Sequence, residues 1–141
     1  MGEHTAKEIR IYADGASMGN PGPAGIGIVV EDENGDVLLT MSKPIGDTTA
    51  NIAEYMALIE ALKVARRYRV ERVVINCDSE LVVRQVNGDY AVRSKELLKL
   101  HRQVLKLRER FKECIIRHIP KSENKRAHNL AQVAIASQSA T

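Results

Sequence analysis

The sequence predicts an α/β fold in which a five-stranded mixed β-sheet is flanked by helices. Apolar runs with two-residue alternation or β-branched residues, both typical of strands, are interspersed with longer segments whose apolar residues recur at helical spacing. Their order along the chain is three strands, a helix, a strand, two helices, a strand and a last helix. This order favours a layered domain with helices packed on a sheet.

The first half of the chain predicts an antiparallel meander of three strands. The first strand is expected at residues 9–14, IRIYAD, where apolar and polar residues alternate. A segment rich in Gly, Pro and Asn, GASMGNPGP, then turns the chain into a second strand at residues 24–31. Asn34-Gly35 is a hairpin signal, and it leads into a third strand at residues 37–41.

The second half predicts four helices and two strands. We expect helices at residues 51–68, 79–86, 94–111 and 122–134, and strands at residues 73–77 and 115–119. The compact β-branched run VVINC is typical of a strand buried on both faces. We expect one domain over residues 1–141, with a core at about residues 7–136 and a disordered polar tail at residues 137–141.

The composition predicts one soluble globular domain. Hydrophobic residues make up 44% of the 141 residues and charged residues 28%, which disfavours a fibre or a disordered chain. The two cysteines form no CxxC pair, and no apolar stretch approaches membrane-spanning length. We therefore expect a monomer in the reducing cytoplasm, with Cys77 and Cys114 as small buried side chains. The net charge of +3 permits a polyanionic partner without establishing one.

Three acidic residues stand where the pattern predicts burial. Asp14 and Asp78 each follow an apolar strand, and Glu54 shares the apolar stripe of its helix with Leu58 and Ala61. If the two strands are parallel neighbours, their carboxyl ends lie about 4.8 Å apart, at the edge where open α/β sheets hold ligands. Carboxylates that close repel each other unless a cation lies between them.

These acids have two interpretations. In the first, they hold two hard divalent cations, Mg²⁺ or Mn²⁺, which clamp the attacking water and the leaving oxygen of a phosphodiester. In the second, Asp14 and Asp78 cap turns or helices, and Glu54 interacts with the dipole of its helix. The convergence of three acids on one place favours the first interpretation.

Four ordered segments carry a family resemblance. They are IYADGASMGNPGPAGIGIVV, NIAEYMALIEAL, INCDSELVVRQV and IPKSENKRAHNLAQVA, which together span residues 9–134. In this order they resemble the motifs of type 1 ribonucleases H. The resemblance implies the RNase H-like fold, with the first three strands antiparallel and the fourth and fifth parallel to the first. It also implies a two-metal-ion endonuclease that cuts the RNA strand of RNA/DNA hybrids and leaves 5′-phosphate and 3′-hydroxyl ends.

The resemblance assigns the metal-binding and catalytic residues. Asp14, Glu54 and Asp78 match the family's catalytic acids, and Asp14 would bridge the two ions. The fourth carboxylate of the family is replaced here by His128, with Asn129 beside it. Either residue can still ligate a cation through a neutral nitrogen or oxygen, or His128 can be a surface residue with no role. Because one negative charge is missing, we expect a preference for Mn²⁺, which tolerates nitrogen ligands better.

Contacts with nucleic acid are also implied by the resemblance. The loop before the last helix is shorter than in relatives that carry a catalytic histidine there, and Lys121 is the candidate contact to the departing phosphate. The chain also lacks the extra basic helix that some relatives use to hold substrate. The other implied contacts are Gly15, Ser17, Met18, Asn20, Asn51, Glu80, Asn87, Arg93 and Lys95. Such contacts read shape and 2′-hydroxyls rather than base sequence.

Two kinds of alternative stay open. One is a non-catalytic module that binds hybrids with the same fold, because a fold does not guarantee a function, and only the altered fourth position supports it. The other is a nuclease of the same superfamily that also acts on double-stranded RNA, or a fragment resembling the nuclease domain of a reverse transcriptase, which the absence of flanking domains disfavours. In each case the expected partner is a nucleic acid and not a membrane.

Overall fold

Five strands and four α-helices make up the described part of the chain. The computed structural model describes residues 7–139. The strands are β1 Glu8–Ser17, β2 Gly22–Asp32, β3 Val37–Thr48, β4 Arg72–Cys77 and β5 Glu113–His118. The α-helices are α1 Ala50–Ala65, α2 Glu80–Val86, α3 Lys95–Arg108 and α4 Lys125–Ser139, with short 3₁₀ helices at Arg66–Tyr68 and Lys121–Glu123.

The sheet is mixed, with its strands in the order β3-β2-β1-β4-β5. β1 pairs antiparallel with β2, and β2 pairs antiparallel with β3. β4 lies between β1 and β5 and is parallel to both. The predicted fold class is therefore confirmed. Because β1 and β4 run in the same direction, the residues that follow their pairing lie together at the carboxyl ends of the two strands.

The two faces of the sheet are covered by different helices. The even-numbered residues Ile26 and Ile28 of β2 join the core cluster that includes Leu58 and Leu62 of α1. The odd-numbered glycines Gly25 and Gly27 face the backbone of α4 instead. Since neighbouring residues of a strand point to opposite faces, α1 and α4 lie on opposite sides of the sheet. Within residues 7–139, no helix combines the length and the apolar character needed to cross a membrane.

Hydroxyl side chains fix the starts of three helices. In each, a Ser or Thr just before the helix accepts a hydrogen bond from the backbone N–H three residues later, which satisfies one of the free donors of the first turn. The pairs are Thr49 with Ile52 (3.3 Å), Ser79 with Val82 (3.4 Å) and Ser94 with Leu97 (3.3 Å). The predicted helix start at Ser79 is thus confirmed.

Two strands are longer than the sequence predicts. β1 continues past Asp14 to Ser17, because its antiparallel pairing with β2 extends to Ser17 after its pairing with β4 has ended at Ala13. β3 continues past residue 41 to Thr48. It is an edge strand, where a proline such as Pro44 is tolerated because one side of the strand needs no partner.

Several predicted helix boundaries also differ, and α1 ends at Ala65 rather than at residue 68. α3 ends at Arg108 rather than at Phe111, which packs against the core without being helical. α4 continues to Ser139, so residues 137–139 of the predicted disordered tail are helical, and residues 140–141 lie outside the described part. The side chain of Gln138 explains this extension in part, because its Oε1 accepts a hydrogen bond of 3.0 Å from the backbone N–H of Gly46 in β3.

Candidate active site

Asp14 and Asp78 lie at the carboxyl end of the pairing between β1 and β4, where the two strands separate. The parallel pairing of the two strands ends at Ala13 and Cys77, and each aspartate follows directly. The side chain of Asp14 is buried beneath the surface of the site, whereas Asp78 is half-buried. The sequence prediction that these two acids share one edge of the sheet agrees with this arrangement.

Glu54 is brought to the same edge by a close approach of α1 to β1. Its side chain is buried, and its Oε1 accepts a hydrogen bond of 2.6 Å from the backbone N–H of Gly15. A Cβ atom at residue 15 would lie 2.1 Å from the carbonyl oxygen of Ala53, so only glycine permits this approach. The glycine after Asp14 therefore sets the distance between the carboxylates on β1 and α1.

Burial and mutual repulsion act on the carboxylates of Asp14 and Glu54. Burial, together with the negative charge of Asp78, raises the pKa of Asp14 from 3.8 to about 7. Burial, followed by the negative charge of Asp14, raises the pKa of Glu54 well above its usual value. An oxygen-rich set of ligands that repel one another suits a hard divalent ion such as Mg²⁺ or Mn²⁺. The residues present therefore fit the metal that the sequence predicts.

Cys77 lies directly beneath this acidic cluster. Its Sγ is within 4.8 Å of carboxylate oxygens of Glu54 and Asp78. The side chain is buried, and that burial raises the pKa of the thiol well above its usual value. Cys77 is opposite His118 in β5, whereas Cys114 is opposite Val73, so the two thiols are separated along the strands and both are free.

His128 joins the acids from α4. Its Nδ1 lies 3.0 Å from Oδ2 of Asp14, within hydrogen-bond distance, while about half of its side chain is exposed. The start of α4 is held in place by Asn124, whose Nδ2 donates a hydrogen bond of 3.0 Å to the carbonyl oxygen of Ala13. Asn129 is exposed and does not line the site. Successive helical residues point about 100° apart, which separates these two candidates for the fourth position.

A cleft of about 690 Å³ opens over these residues. The predicted site residues that line it are Asp14, Gly15, Ser17, Asn51, Glu54, Asp78, Lys121 and His128. The cleft thus has an acidic floor, formed at the edge of the sheet, and a cationic rim at the start of α4. An acidic floor beside a cationic rim can bind metal ions and a phosphodiester at the same time.

Known proteins are similar to this chain in sequence and in fold. A profile of the family described as reverse transcriptase-like matches residues 12–134. The ribonuclease HI of Helicobacter pylori is 30% identical over 136 residues, which cover 90% of this chain and 92% of that protein. The RNase H1 of the archaeon Halobacterium salinarum superposes with a TM-score of 0.89 at 35% identity, covering 92% of this chain and 98% of that one. The chain belongs to the type 1 ribonuclease H family.

Two further members of this ribonuclease H group bear on the function. The crystal structure of LC11-RNase H1 in complex with an RNA/DNA hybrid matches with a TM-score of 0.87 at 39% identity, covering 92% of this chain and 98% of that one. The bifunctional protein Rv2228c of Mycobacterium tuberculosis is 40% identical over 136 residues, which are 94% of this chain and 37% of that protein. The chain therefore spans just over a third of the length of this relative.

Several predicted nucleic-acid contacts lie outside the cleft described above. Met18 and Asn20 are exposed on the loop after β1, and Oδ1 of Asn20 accepts a hydrogen bond of 3.0 Å from the backbone N–H of Ala50. Asn20 therefore also holds the start of α1. Arg93 is exposed just before α3, and Lys95 is exposed as the first residue of that helix.

Three more of the predicted contacts, Ser17, Asn87 and Glu80, already bond to other residues of this chain. Oγ of Ser17 donates a hydrogen bond of 2.8 Å to the carbonyl oxygen of Thr48. Nδ2 of Asn87 donates a hydrogen bond of 2.8 Å to the carbonyl oxygen of Ile116, and its Oδ1 accepts one of 3.1 Å from Arg108. This side chain therefore joins the end of α2 to β5 and α3. Glu80 forms an ion pair of 3.0 Å with Arg84 one turn later on α2.

Sequence reasoning missed residues that α4 contributes to the ribonuclease H cleft. Lys125 and Gln132 line it beside His128. Their spacing of three and four residues from His128 places them on one face of α4, which is a signal that the sequence contained. Which face of α4 meets the cleft depends on how that helix packs on β2, and the family motif did not mark these two positions.

Proposed function

We propose that this chain is a ribonuclease H that cuts the RNA strand of RNA/DNA hybrids by metal-dependent endonucleolytic hydrolysis. In this reaction a water oxygen forms a bond to phosphorus, the bond from phosphorus to the 3′ oxygen breaks, and that oxygen takes up a proton. The products are a 5′-phosphate and a 3′-hydroxyl end.

The convergence of three carboxylates in one cleft carries this proposal. Asp14, Glu54 and Asp78 come from β1, α1 and the end of β4, which are far apart in the sequence. Burying acids that repel each other costs stability, and a cation bound between them offsets that cost. Divalent cations bound by these acids would neutralise that charge, lower the pKa of an attacking water and stabilise the leaving oxygen.

The chain's own residues position the acids and the substrate. The N–H of Gly15 fixes one oxygen of Glu54, and Nδ1 of His128 holds one oxygen of Asp14. His128 is our candidate for the fourth ligand, through a neutral ring nitrogen. We assign contacts with the substrate phosphates to Lys121 and Lys125, because both are cationic and line the cleft.

The substrate proposal rests on the cleft and on the relatives. LC11-RNase H1 has been crystallised with an RNA/DNA hybrid, and it shares 39% of its residues with this chain. Ser17 and Asn51 line the cleft next to the acids. The Ser17 hydroxyl donates its proton to the carbonyl oxygen of Thr48, so it can accept a hydrogen bond from a 2′-hydroxyl, and the amide of Asn51 can bond minor-groove atoms. Because these groups read the sugar and the shape of the duplex, we propose selectivity for hybrids over DNA duplexes.

The substrate can be tested with duplexes labelled on either strand. Purified protein is incubated with an RNA/DNA hybrid, an RNA duplex and a DNA duplex of the same sequence, in Mg²⁺, in Mn²⁺ or in EDTA. We expect cleavage of the RNA strand of the hybrid alone, only with metal, and products with 5′-phosphates. Cleavage of the RNA duplex at a comparable rate would overturn hybrid selectivity, and binding of the hybrid without cleavage in either metal would instead support the non-catalytic alternative.

A further inference from the structure

A row of four basic side chains runs along the solvent side of α3. Lys95, Lys99, Arg102 and Lys106 are all exposed. Their spacing of four, three and four residues places them within about 60° of one another around the helix and over about 16 Å of its length. We call these four residues the α3 basic row. Leu97 and the other buried residues of α3 lie on the opposite side, so the row points away from the sheet.

The α3 basic row has no acidic partners in the described part of the chain. None of its members forms an ion pair or a side-chain hydrogen bond there, and Glu96 and Glu109, each within one turn of the row, do not pair with it. Some other surface cations are paired with acids, as in Arg84 with Glu80 at 3.0 Å and Lys43 with Glu60 at 2.9 Å. The charge of the row is therefore available to a ligand.

Helix stability does not explain the α3 basic row. Like charges three and four residues apart repel each other and destabilise a helix. Lys95 stands in the first turn, where a positive charge opposes the helix dipole. The helix is held by Leu97 and Val104, which are buried on its other side. A polyanion bound along the row would relieve the repulsion between its members.

We propose that the α3 basic row binds the phosphate backbone of nucleic acid outside the catalytic cleft. This inference rests on the proposed function for the nature of the polyanion. The row begins directly after Arg93 and Ser94, and α3 packs on α1, whose first turns line the cleft. Its length of about 16 Å spans several successive phosphates of one strand. The row would bind charge without reading sequence, and so hold a hybrid that extends beyond the cleft.

Salt dependence of binding tests this proposal. The affinity for a long hybrid is measured in EDTA, where no cleavage occurs, over a range of salt concentrations, for the wild type and for Lys99→Gln/Arg102→Gln/Lys106→Gln. Loss of three phosphate contacts lowers the slope of log affinity against log salt by about two to three units. We expect this loss with the long hybrid and a much smaller one with a hybrid short enough to fill only the cleft.

A matched control removes the same charge elsewhere. Lys63→Gln/Arg66→Gln/Arg67→Gln changes three exposed cations at the end of α1 that is remote from the cleft, and we expect the wild-type slope. An unchanged slope in the α3 variant, an equal change in the control, or an equal change with the short hybrid would each overturn the proposal. Because binding is measured without turnover, a failure of the wild type to cleave would refute the proposed function while leaving this result interpretable.

Discussion

His128 supplies a nitrogen where the family resemblance places a carboxylate, and this nitrogen lies within hydrogen-bond distance of Asp14. The distance of 3.0 Å between Nδ1 and Oδ2 allows a hydrogen bond that fixes the orientation of the Asp14 carboxylate. A neutral imidazole adds no negative charge to the site, so the three acids alone must attract the cations. This is the physical reason for expecting weak use of Mg²⁺.

Restoring the fourth carboxylate changes the metal requirement. In His128→Asp we expect the Mg²⁺ concentration that gives half-maximal hybrid cleavage to fall by roughly tenfold, because an oxygen ligand and a negative charge are added beside Asp14. A metal titration of the cleavage rate measures this. Asn129→Asp is the matched control, since it adds the same charge outside the cleft lining, and its titration should follow the wild type. Equal shifts in both variants would show a general charge effect instead.

At the scale of elements, the packing of α4 on β2 positions one wall of the cleft. A Cβ at residue 27 would lie 2.0 Å from the carbonyl oxygen of Ala127, and one at residue 25 would lie 2.7 Å from that of Ala131. Glycines at these positions let the helix lie directly on the strand. Because the helix is this close, His128 reaches Asp14, and Lys125 and Gln132 line the cleft.

A methyl group at this contact separates the helix from the strand. Gly27→Ala must shift α4, so we expect a loss of about 1–3 kcal/mol in the free energy of unfolding and a larger loss of hybrid cleavage. Urea unfolding and initial cleavage rates measure the two effects. Gly35→Ala is the control, because nothing lies within 4 Å of its new methyl group and its cost of about 1 kcal/mol comes only from the positive φ of the turn. Wild-type cleavage by Gly27→Ala would contradict the role of this contact.

The element boundaries show where sequence patterns stop being informative. The alternation of β1 and the continuous run VVINC of β4 predicted these strands, because alternate residues of β1 are apolar and buried whereas β4 is buried on both faces. The later half of β3 is mostly exposed, so no apolar pattern marked it. The end of α4 depends on a hydrogen bond between Gln138 and Gly46, a contact between residues far apart in the sequence.

At the scale of the whole molecule, the site was more predictable than its surroundings. Three acids at apolar positions, together with a motif resemblance, predicted the floor of the cleft. The roles of Lys125 and Gln132 follow from the packing of α4, which those patterns do not encode. Likewise, the internal hydrogen bonds of Asn87 depend on α2, α3 and β5 meeting, and its assignment as a nucleic-acid contact came from the resemblance alone.

The central claim is that the carboxylates of the cleft perform metal-dependent hydrolysis of hybrids. The most direct measurement is the cleavage rate of Asp14→Asn in Mg²⁺ and in Mn²⁺, with hybrid binding measured in EDTA and the exposed Asp36→Asn as the control. We expect Asp14→Asn to bind hybrid nearly as the wild type does and to lose at least about a thousandfold in cleavage rate, while the control cleaves normally. Cleavage by Asp14→Asn at the wild-type rate would contradict the claim.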